Sequence, residues 1–295
     1  MKKTRIIGAG FCVPKNVVTN DDLSKMMDTS DEWIRKRTGI KFRHFVEDNE
    51  LTSDMGTNAA ELAIFNAGLK PTDIDLIILA TTTPDNTFPS TASKIQRNLG
   101  SKAISFDVQA VCAGFIYAIS IGVAMLKDTH GTKCLVIGAD SMSKILDWND
   151  RSTSVLFGDG AGAVVLEKKI VRSETVENNE WGVLATKIFT NGEYYDLLST
   201  DGGVSKSKST GFLRMNGKEI FKHAVEKLSS SLLMCLEECN MNIKDIDDYN
   251  FDGNFIESQA FAYLAIRSYL KLPISFPSTT RSKKAISGGD ILQNF

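Results

Sequence analysis

The sequence predicts an α/β protein built from two similar halves, and three observations carry that expectation. Short apolar runs alternate with segments whose apolar residues recur at helical spacing. The runs lack the in–out alternation of a half-exposed strand, so both of their faces need covering, as in a sheet flanked by helices. The order of elements in the first half also recurs in the second, at a period near half the chain.

Residues 5–10 read as the first strand and residues 53–67 as a helix. Leu76-Ile77-Ile78-Leu79-Ala80 is a continuous apolar run bounded by polar turns, the mark of a strand buried on both faces. Residues 90–99 are helical. A short strand at 104–108 leads into a helix over about 113–127. Residues 134–138 form another buried strand, and 163–167 a strand after a glycine-rich turn. In the second half, a helix over 221–238 leads into Met241-Asn242-Ile243-Lys244-Asp245-Ile246-Asp247. That segment takes the place of Leu69-Lys70-Pro71-Thr72-Asp73-Ile74-Asp75 in the first half. A helix over 261–270 then corresponds to the one at 90–99. The polar stretch 171–211 sets the expected boundary near residue 170: 1–170 as the first half, 171–295 as the second.

The 34 Lys and Arg against 36 Asp and Glu leave a net charge of −2, with 42% hydrophobic and 24% charged residues. This is the balance of a folded globular chain. It leaves no positive excess to neutralise phosphates, which argues against nucleic acid as a partner. The longest apolar stretch, 108–127, contains Gln109, Cys112, Gly114 and Gly122 and reads as core, not as a membrane span. The start, Met-Lys-Lys-Thr-Arg before Ile-Ile-Gly-Ala-Gly, has too short an apolar run for a signal peptide, so a cytoplasmic location is expected. The five cysteines (12, 112, 134, 235, 239) have no metal-ligand spacing, so reduced thiols and no metal site are expected.

Cys112 is the sharpest candidate. It lies in Ala110-Val111-Cys112-Ala113-Gly114-Phe115, between a buried strand and an apolar helix. A thiol at a helix N-terminus faces unpaired N–H groups and the positive end of the dipole, which favours thiolate. The same apolar setting also suits an inert core thiol. Gly158-Asp159-Gly160-Ala161-Gly162 runs into Val164-Val165-Leu166-Glu167, so a tight hairpin turn is expected there rather than a nucleotide-binding loop. His44, His130 and His223 lie far from Cys112 in sequence and read as surface or structural residues.

Several stretches together resemble β-ketoacyl-acyl-carrier-protein synthase III. They are Asp28-Thr29-Ser30-Asp31-Glu32-Trp33-Ile34, Arg37-Thr38-Gly39-Ile40, Phe88-Pro89-Ser90, the Cys112 stretch, Asp150-Arg151-Ser152-Thr153, residues 157–162 and Met215-Asn216-Gly217-Lys218-Glu219-Ile220-Phe221. The match runs nearly continuously from residue 4 to about 247. The resemblance implies the thiolase fold, two similar α/β halves in a five-layered αβαβα arrangement, as a homodimer. It implies that Cys112 takes an acyl group from acyl-CoA as a thioester and condenses it with malonyl-acyl-carrier protein as CO2 leaves. No cofactor is implied, since coenzyme A arrives as part of the substrate. By motif position, Trp33 and Arg151 would hold the adenine and Arg37 would face the phosphates. Thr29, Gly217 and Phe221 would line the pantetheine tunnel, and Phe88 would shape the acyl pocket.

The resemblance departs in the second half. The family's catalytic His belongs to a Pro-His-Gln-Ala-Asn motif; the aligned stretch here is Ile256-Glu257-Ser258-Gln259-Ala260-Phe261, which puts Ser258 at the His position. Pro277-Ser278-Thr279-Thr280 supplies no counterpart to the second catalytic Asn, and the second half reads as shortened. Loss of two donors to a developing oxyanion costs on the order of 10²–10³ in rate for each. Acylation of Cys112 is therefore expected to be more robust than condensation. The competing readings are an acyltransferase or thioesterase deficient in condensation, and a non-catalytic acyl-CoA-binding homologue.

Overall fold

The computed structural model describes residues 2–128, 131–170, 182–241, 273–275 and 286–287. They fall into two compact units, Met1–Met215 and Asn216–Phe295. The compositional boundary near 170 coincides with the end of a strand, and residues 182–215 belong to the first compact unit.

The first unit runs β1 (Lys2–Cys12), β2 (Asn16–Thr19), α1 (Asn20–Ser24), α2 (Asp31–Thr38), β3 (Phe42–Phe45), α3 (Thr52–Asn66), β4 (Leu76–Ala80) and α4 (Thr91–Asn98). It continues with β5 (Ile104–Val108), α5 (Gly114–Asp128), β6 (Lys133–Ser141), α6 (Arg151–Ser154), β7 (Asp159–Ile170), β8 (Leu198–Thr200), α7 (Val204–Ser207) and β9 (Leu213–Met215). Five strands make one sheet in the order β1-β7-β6-β4-β5. β4 lies between β5 and β6 and is parallel to both; β7 is antiparallel to β6 and β1.

Strand geometry sends alternate side chains to opposite faces. Ile77, Leu79, Leu135, Ile137 and Val165 pack on one face against Ala59, Ala60, Ala63 and Ile64 of α3 and Ala92 and Ile95 of α4. Leu76, Ile78, Cys134, Val136 and Leu166 pack on the other against Ala118 and Leu126 of α5. All five side chains of β4 are buried, so the expectation that this run needs cover on both faces holds. Residues 111–128 are long and apolar enough to cross a membrane by length and composition. In this chain Ala118, Gly122 and Leu126 bury their face of that helix against the sheet.

A third cluster joins α1, α2, β3 and the end of α6: Leu23, Ile34, Phe45 and Val155, with Trp33 and Trp148 packed at its edge. In the second unit, α8 (Gly217–Glu238) starts at Asn216, whose side chain accepts from the Glu219 N–H. Two short strands, β10 (Pro273–Ser275) and β11 (Ile286–Ser287), pair antiparallel. The Asp-Ile-Asp counterpart at 243–247 and the helix at 261–270 lie outside the described residues.

The contact of α3 with β1 explains two early glycines. A Cβ on Gly10 would overlap the backbone of Ala59 and Ala63, and one on Gly8 would overlap the backbone of Ala63. Close approach of helix to strand leaves no space for a methyl at either position. Gly10→Ala is therefore expected to destabilise the first unit by about 1–3 kcal/mol, the range for overpacking, read as a lower denaturant midpoint with unchanged slope.

Candidate active site

The parallel strands β4 and β6 end on the same side of the sheet, and the site forms there, where helices and loops leave the strand ends. After β5 the chain passes Ala110 and makes a single 3-10 turn over Val111–Ala113, closed by Ala113 N–H on the Ala110 carbonyl at 3.1 Å, before α5 begins at Gly114. Val111 has φ +48°, a left-handed conformation that a β-branched residue adopts only under strain. That strain sits immediately before Cys112 and fixes the direction in which the next side chain leaves. A Cβ on Gly114 would lie 3.1 Å from the Ala80 Cβ, so the glycine lets the helix begin close against β4.

Cys112 opens onto a cleft of about 360 Å³. Phe115, Met142, Phe157, Leu198 and Leu213 give it apolar walls, while Thr82 and Asp140 supply polar groups. Four glycines line it: Gly138, Gly158, Gly160 and Gly162. Gly138 of β6 pairs with Gly162 of β7, and Asp140 with Gly160. A Cβ on Gly162 would meet nothing within 4 Å, so the missing side chain is open space; one on Gly138 would reach the Phe115 ring at 3.1 Å. This corrects the expected hairpin turn. Gly160 and Gly162 lie inside β7, which starts at Asp159, because β6 pairs with both of them and β1 pairs with Gly162. Their glycine character leaves space for the cleft instead of bending the chain.

The Asp140 carboxylate holds the loop after β4. Its Oδ1 accepts from the Thr81 hydroxyl (3.2 Å), the Thr82 N–H and hydroxyl (2.7 and 2.8 Å) and the Thr83 N–H and hydroxyl (3.2 and 3.0 Å). Asp159 is buried and accepts from the Val46 N–H (2.8 Å), the Ser143 N–H (2.8 Å) and the Ser143 hydroxyl (2.5 Å), tying β3 to the start of β7. Cys112 is exposed at the cleft mouth, yet desolvation by the protein around its sulfur pushes the thiol above its usual value, and the Asp140 charge pushes the same way; its own backbone N–H opposes them and loses. The expected lowering by the helix terminus is thus outweighed inside the first unit. Cys134, packed under α5, is pushed up to about 12, chiefly by burial, and is structural.

A second cluster lies on α2 and α6. Ser30 caps α2 by accepting from the Trp33 N–H at 3.1 Å, and Gly39 ends it in the left-handed conformation at φ +75°. The Arg37 guanidinium lies 4.3 Å and that of Arg151 5.1 Å from the centre of the Trp33 ring. Arg151 also donates to the Asp28 carboxylate at 3.0 Å and to the Asp28 carbonyl. The half-buried Thr29 beside them keeps a buried, unpartnered Oγ1. Trp33 and Arg37 of α2 are therefore met on one indole ring by Arg151 of α6.

Phe88 is 83% exposed on the loop before α4. Trp148 stacks edge-on against Phe45 at 5.4 Å in the third cluster. Gly217 and Phe221 lie on the first two turns of α8 in the second unit. Ser258 lies outside the described residues. Sequence reasoning passed over Asp140, Asp159 and the Thr81-Thr82-Thr83 run. The available signal was position, since Thr81–Thr83 follow one buried strand and Asp140 lies near the end of another.

A strained turn presenting a cysteine at the start of a helix, above a glycine-lined apolar cleft, is the arrangement of a thiol acyltransferase of the thiolase fold. The chain belongs to the β-ketoacyl-[acyl-carrier-protein] synthase III family. The family model described as 3-oxoacyl-[acyl-carrier-protein (ACP)] synthase III matches residues 106–192. The β-ketoacyl-[acyl-carrier-protein] synthase III of Ehrlichia canis (strain Jake) is 53% identical over 248 residues, which are 84% of this chain and 76% of that protein. The crystal structure of 3-oxoacyl-[acyl-carrier-protein] synthase III from Aquifex aeolicus VF5 is 45% identical with a TM-score of 0.73, covering 81% of this chain and 73% of that one. The enzyme of the same name from Pseudomonas aeruginosa PAO1 is 30% identical with a TM-score of 0.78, covering 96% and 84%.

The raised thiol gives a pH signature. A thiol whose charged form is disfavoured alkylates faster as pH rises through its elevated pKa. Iodoacetamide labelling of Cys112, followed by intact mass against a Cys112→Ser blank, should show a midpoint above that of a free thiol. Asp140→Asn keeps an oxygen acceptor for the threonines but removes the like charge, so the midpoint moves down.

Proposed function

We propose that the chain starts fatty-acid synthesis by joining an acyl group from acyl-CoA to malonyl-acyl-carrier protein. The observation that carries this reading is Cys112, held by a strained turn at the mouth of an apolar cleft, in a chain of the synthase III family. The Cys112 sulfur attacks the thioester carbonyl of acyl-CoA, the new C–S bond forms, and coenzyme A leaves as its thiol. The acyl group rests in the cleft among Phe115, Met142 and Phe157, where apolar contact suits a hydrocarbon chain. Malonyl-acyl-carrier protein then loses CO2. The carbon left with the electron pair attacks the acyl carbonyl, and the Cys112 sulfur departs.

Trp33, Arg37 and Arg151 suit the nucleotide end of coenzyme A. An adenine can stack on the indole, and the guanidiniums can stack or pair with phosphates. Thr29, Gly217 and Phe221 are proposed along the pantetheine arm, and Phe88, which is exposed and does not line the cleft of its own subunit, at the acyl pocket near the dimer contact. The reaction takes no resident cofactor in this reading, and the chain works in the cytoplasm as a homodimer of two-halved subunits (1–170 and 171–295).

Intact-mass measurement after incubation with acetyl-CoA tests the first step: an acetyl adduct forms on the native chain and not on Cys112→Ala. Adding malonyl-acyl-carrier protein removes the adduct and yields a β-ketoacyl product. An adduct that persists with the second substrate would instead favour the condensation-deficient acyltransferase that Ser258 at the His position suggests. Arg151→Ala is expected to raise KM for acetyl-CoA about tenfold with little change in kcat, the loss of one uniform binding contact.

A further inference from the structure

Arg43 on β3 is 5% exposed, yet among the described residues no carboxylate pairs with it. One guanidinium nitrogen donates to the Val18 carbonyl, its cross-strand neighbour in β2, at 3.4 Å. The other donates to the Val155 carbonyl, at the C-terminal cap of α6, at 3.2 Å. Its Nε is buried without a partner. The stem lies close under Gly158, where an added Cβ would come within 3.1 Å of the Arg43 Cβ.

A buried cation that faces only carbonyls is poor stabilisation, and well-packed apolar replacements of buried charges are often neutral or better. What this one does is geometric. α6 is only four residues long and carries Arg151 at its first position. Asp150 holds the front of α6 by accepting from the Ser152 N–H and hydroxyl at 3.0 and 2.6 Å, and Arg43 holds the back. The antiparallel β2–β3 pair it pins brackets α1 and α2 in the chain and shares the Leu23–Ile34–Phe45–Val155 cluster with α2, the helix that presents Trp33 and Arg37. Arg43 is therefore a buried polar tie between the segment bearing Arg151 and the strand pair packed beside Trp33, beneath the exposed tie from Arg151 to Asp28.

We infer that Arg43 is a positioning residue for coenzyme A: it sets the gap between Arg151 and the Trp33 ring into which the nucleotide end of the thioester fits. This rests on the proposed role of Trp33 and Arg151. A fixed planar fork suits the task, because it can reach two carbonyls at once where a lysine reaches one.

The test uses the full chain with Arg43→Met, Arg43→Lys and Arg151→Ala, each assayed with acetyl-CoA and with acetyl-N-acetylcysteamine, a thioester without the nucleotide. Arg43→Met is expected to raise KM for acetyl-CoA about tenfold with kcat within about twofold. Its kcat/KM for the nucleotide-free thioester, its melting temperature and its Cys112 alkylation rate stay at native values. Arg43→Lys recovers part of the KM. If Arg151→Ala raises KM and Arg43→Met does not, the inference is overturned while the function stands. If Arg151→Ala leaves KM unchanged, the nucleotide assignment fails and the inference falls with it. Should Arg43→Met not fold, Arg43→Lys decides. A KM effect confined to acetyl-CoA supports positioning. Parallel loss of kcat on both thioesters, of the alkylation rate and of melting temperature shows a structural role and overturns it.

Discussion

Burial of β4 on both faces is the constraint from which the first unit follows. Leu76 to Ala80 carry no polar side chain, so water must be excluded from both sides of the strand. That requires α3 and α4 on one face and α5 on the other, and it requires neighbours in the sheet to satisfy the strand's N–H and C=O groups. Once the strand is enclosed laterally, its C-terminal end is where polar chemistry can emerge. Thr81 to Thr83 leave β4 there, Asp140 meets them from β6, and Gly114 lets α5 begin close to Ala80. Cys112 occupies the point where these elements converge.

The cleft is made as much by what is missing as by what is present. Gly138, Gly160 and Gly162 contribute backbone only, which gives a substrate space beside two paired strands without breaking their hydrogen bonds. Cys112 is exposed at the cleft mouth, yet its thiol resists ionisation, because the protein around the sulfur disfavours the charged form and the Asp140 carboxylate adds to that resistance.

The cluster at Trp33 obeys a different physics. It lies at a surface where two guanidiniums approach one indole, and its energy is in stacking and charge instead of burial. Such a site depends on spacing, which surface contacts hold poorly. Here the spacing is held from below, by the apolar cluster of Leu23, Ile34, Phe45 and Val155 and by the buried fork of Arg43. The two sites thus rest on different physics: apolar space beside paired strands in the cleft, stacked charge on a ring in the cluster.

By itself the sequence determined the elements of the first unit and pointed to Cys112 as the candidate nucleophile. Leu76–Ala80 is a strand with the bounds its apolar run marks, Ile104–Val108 is the short strand expected before the Cys112 stretch, and the helices at 52–66, 91–98 and 114–128 follow from local periodicity. Cys112 was legible because a cysteine between an apolar strand and an apolar helix is a local pattern. Trp33, Arg37 and Arg151 came through resemblance; Arg37 lies one helical turn from Trp33, but nothing in the spacing places the distant Arg151 on the same ring. Only the tertiary structure decided the rest. Gly160 and Gly162 read as a turn because glycine weakens strands locally, yet pairing with β6, and for Gly162 with β1 as well, keeps them in β7. The thiol of Cys112 reads as activated by a helix end, yet its charge state follows from burial and from Asp140, which lies 28 positions on in the chain and next to the cleft only after folding. Arg43 carries no signal in the sequence, and is a buried tie because β3 places its guanidinium against the Val155 carbonyl at the end of α6. Periodicity is a property of neighbours in sequence; electrostatics and free space are properties of neighbours in three dimensions.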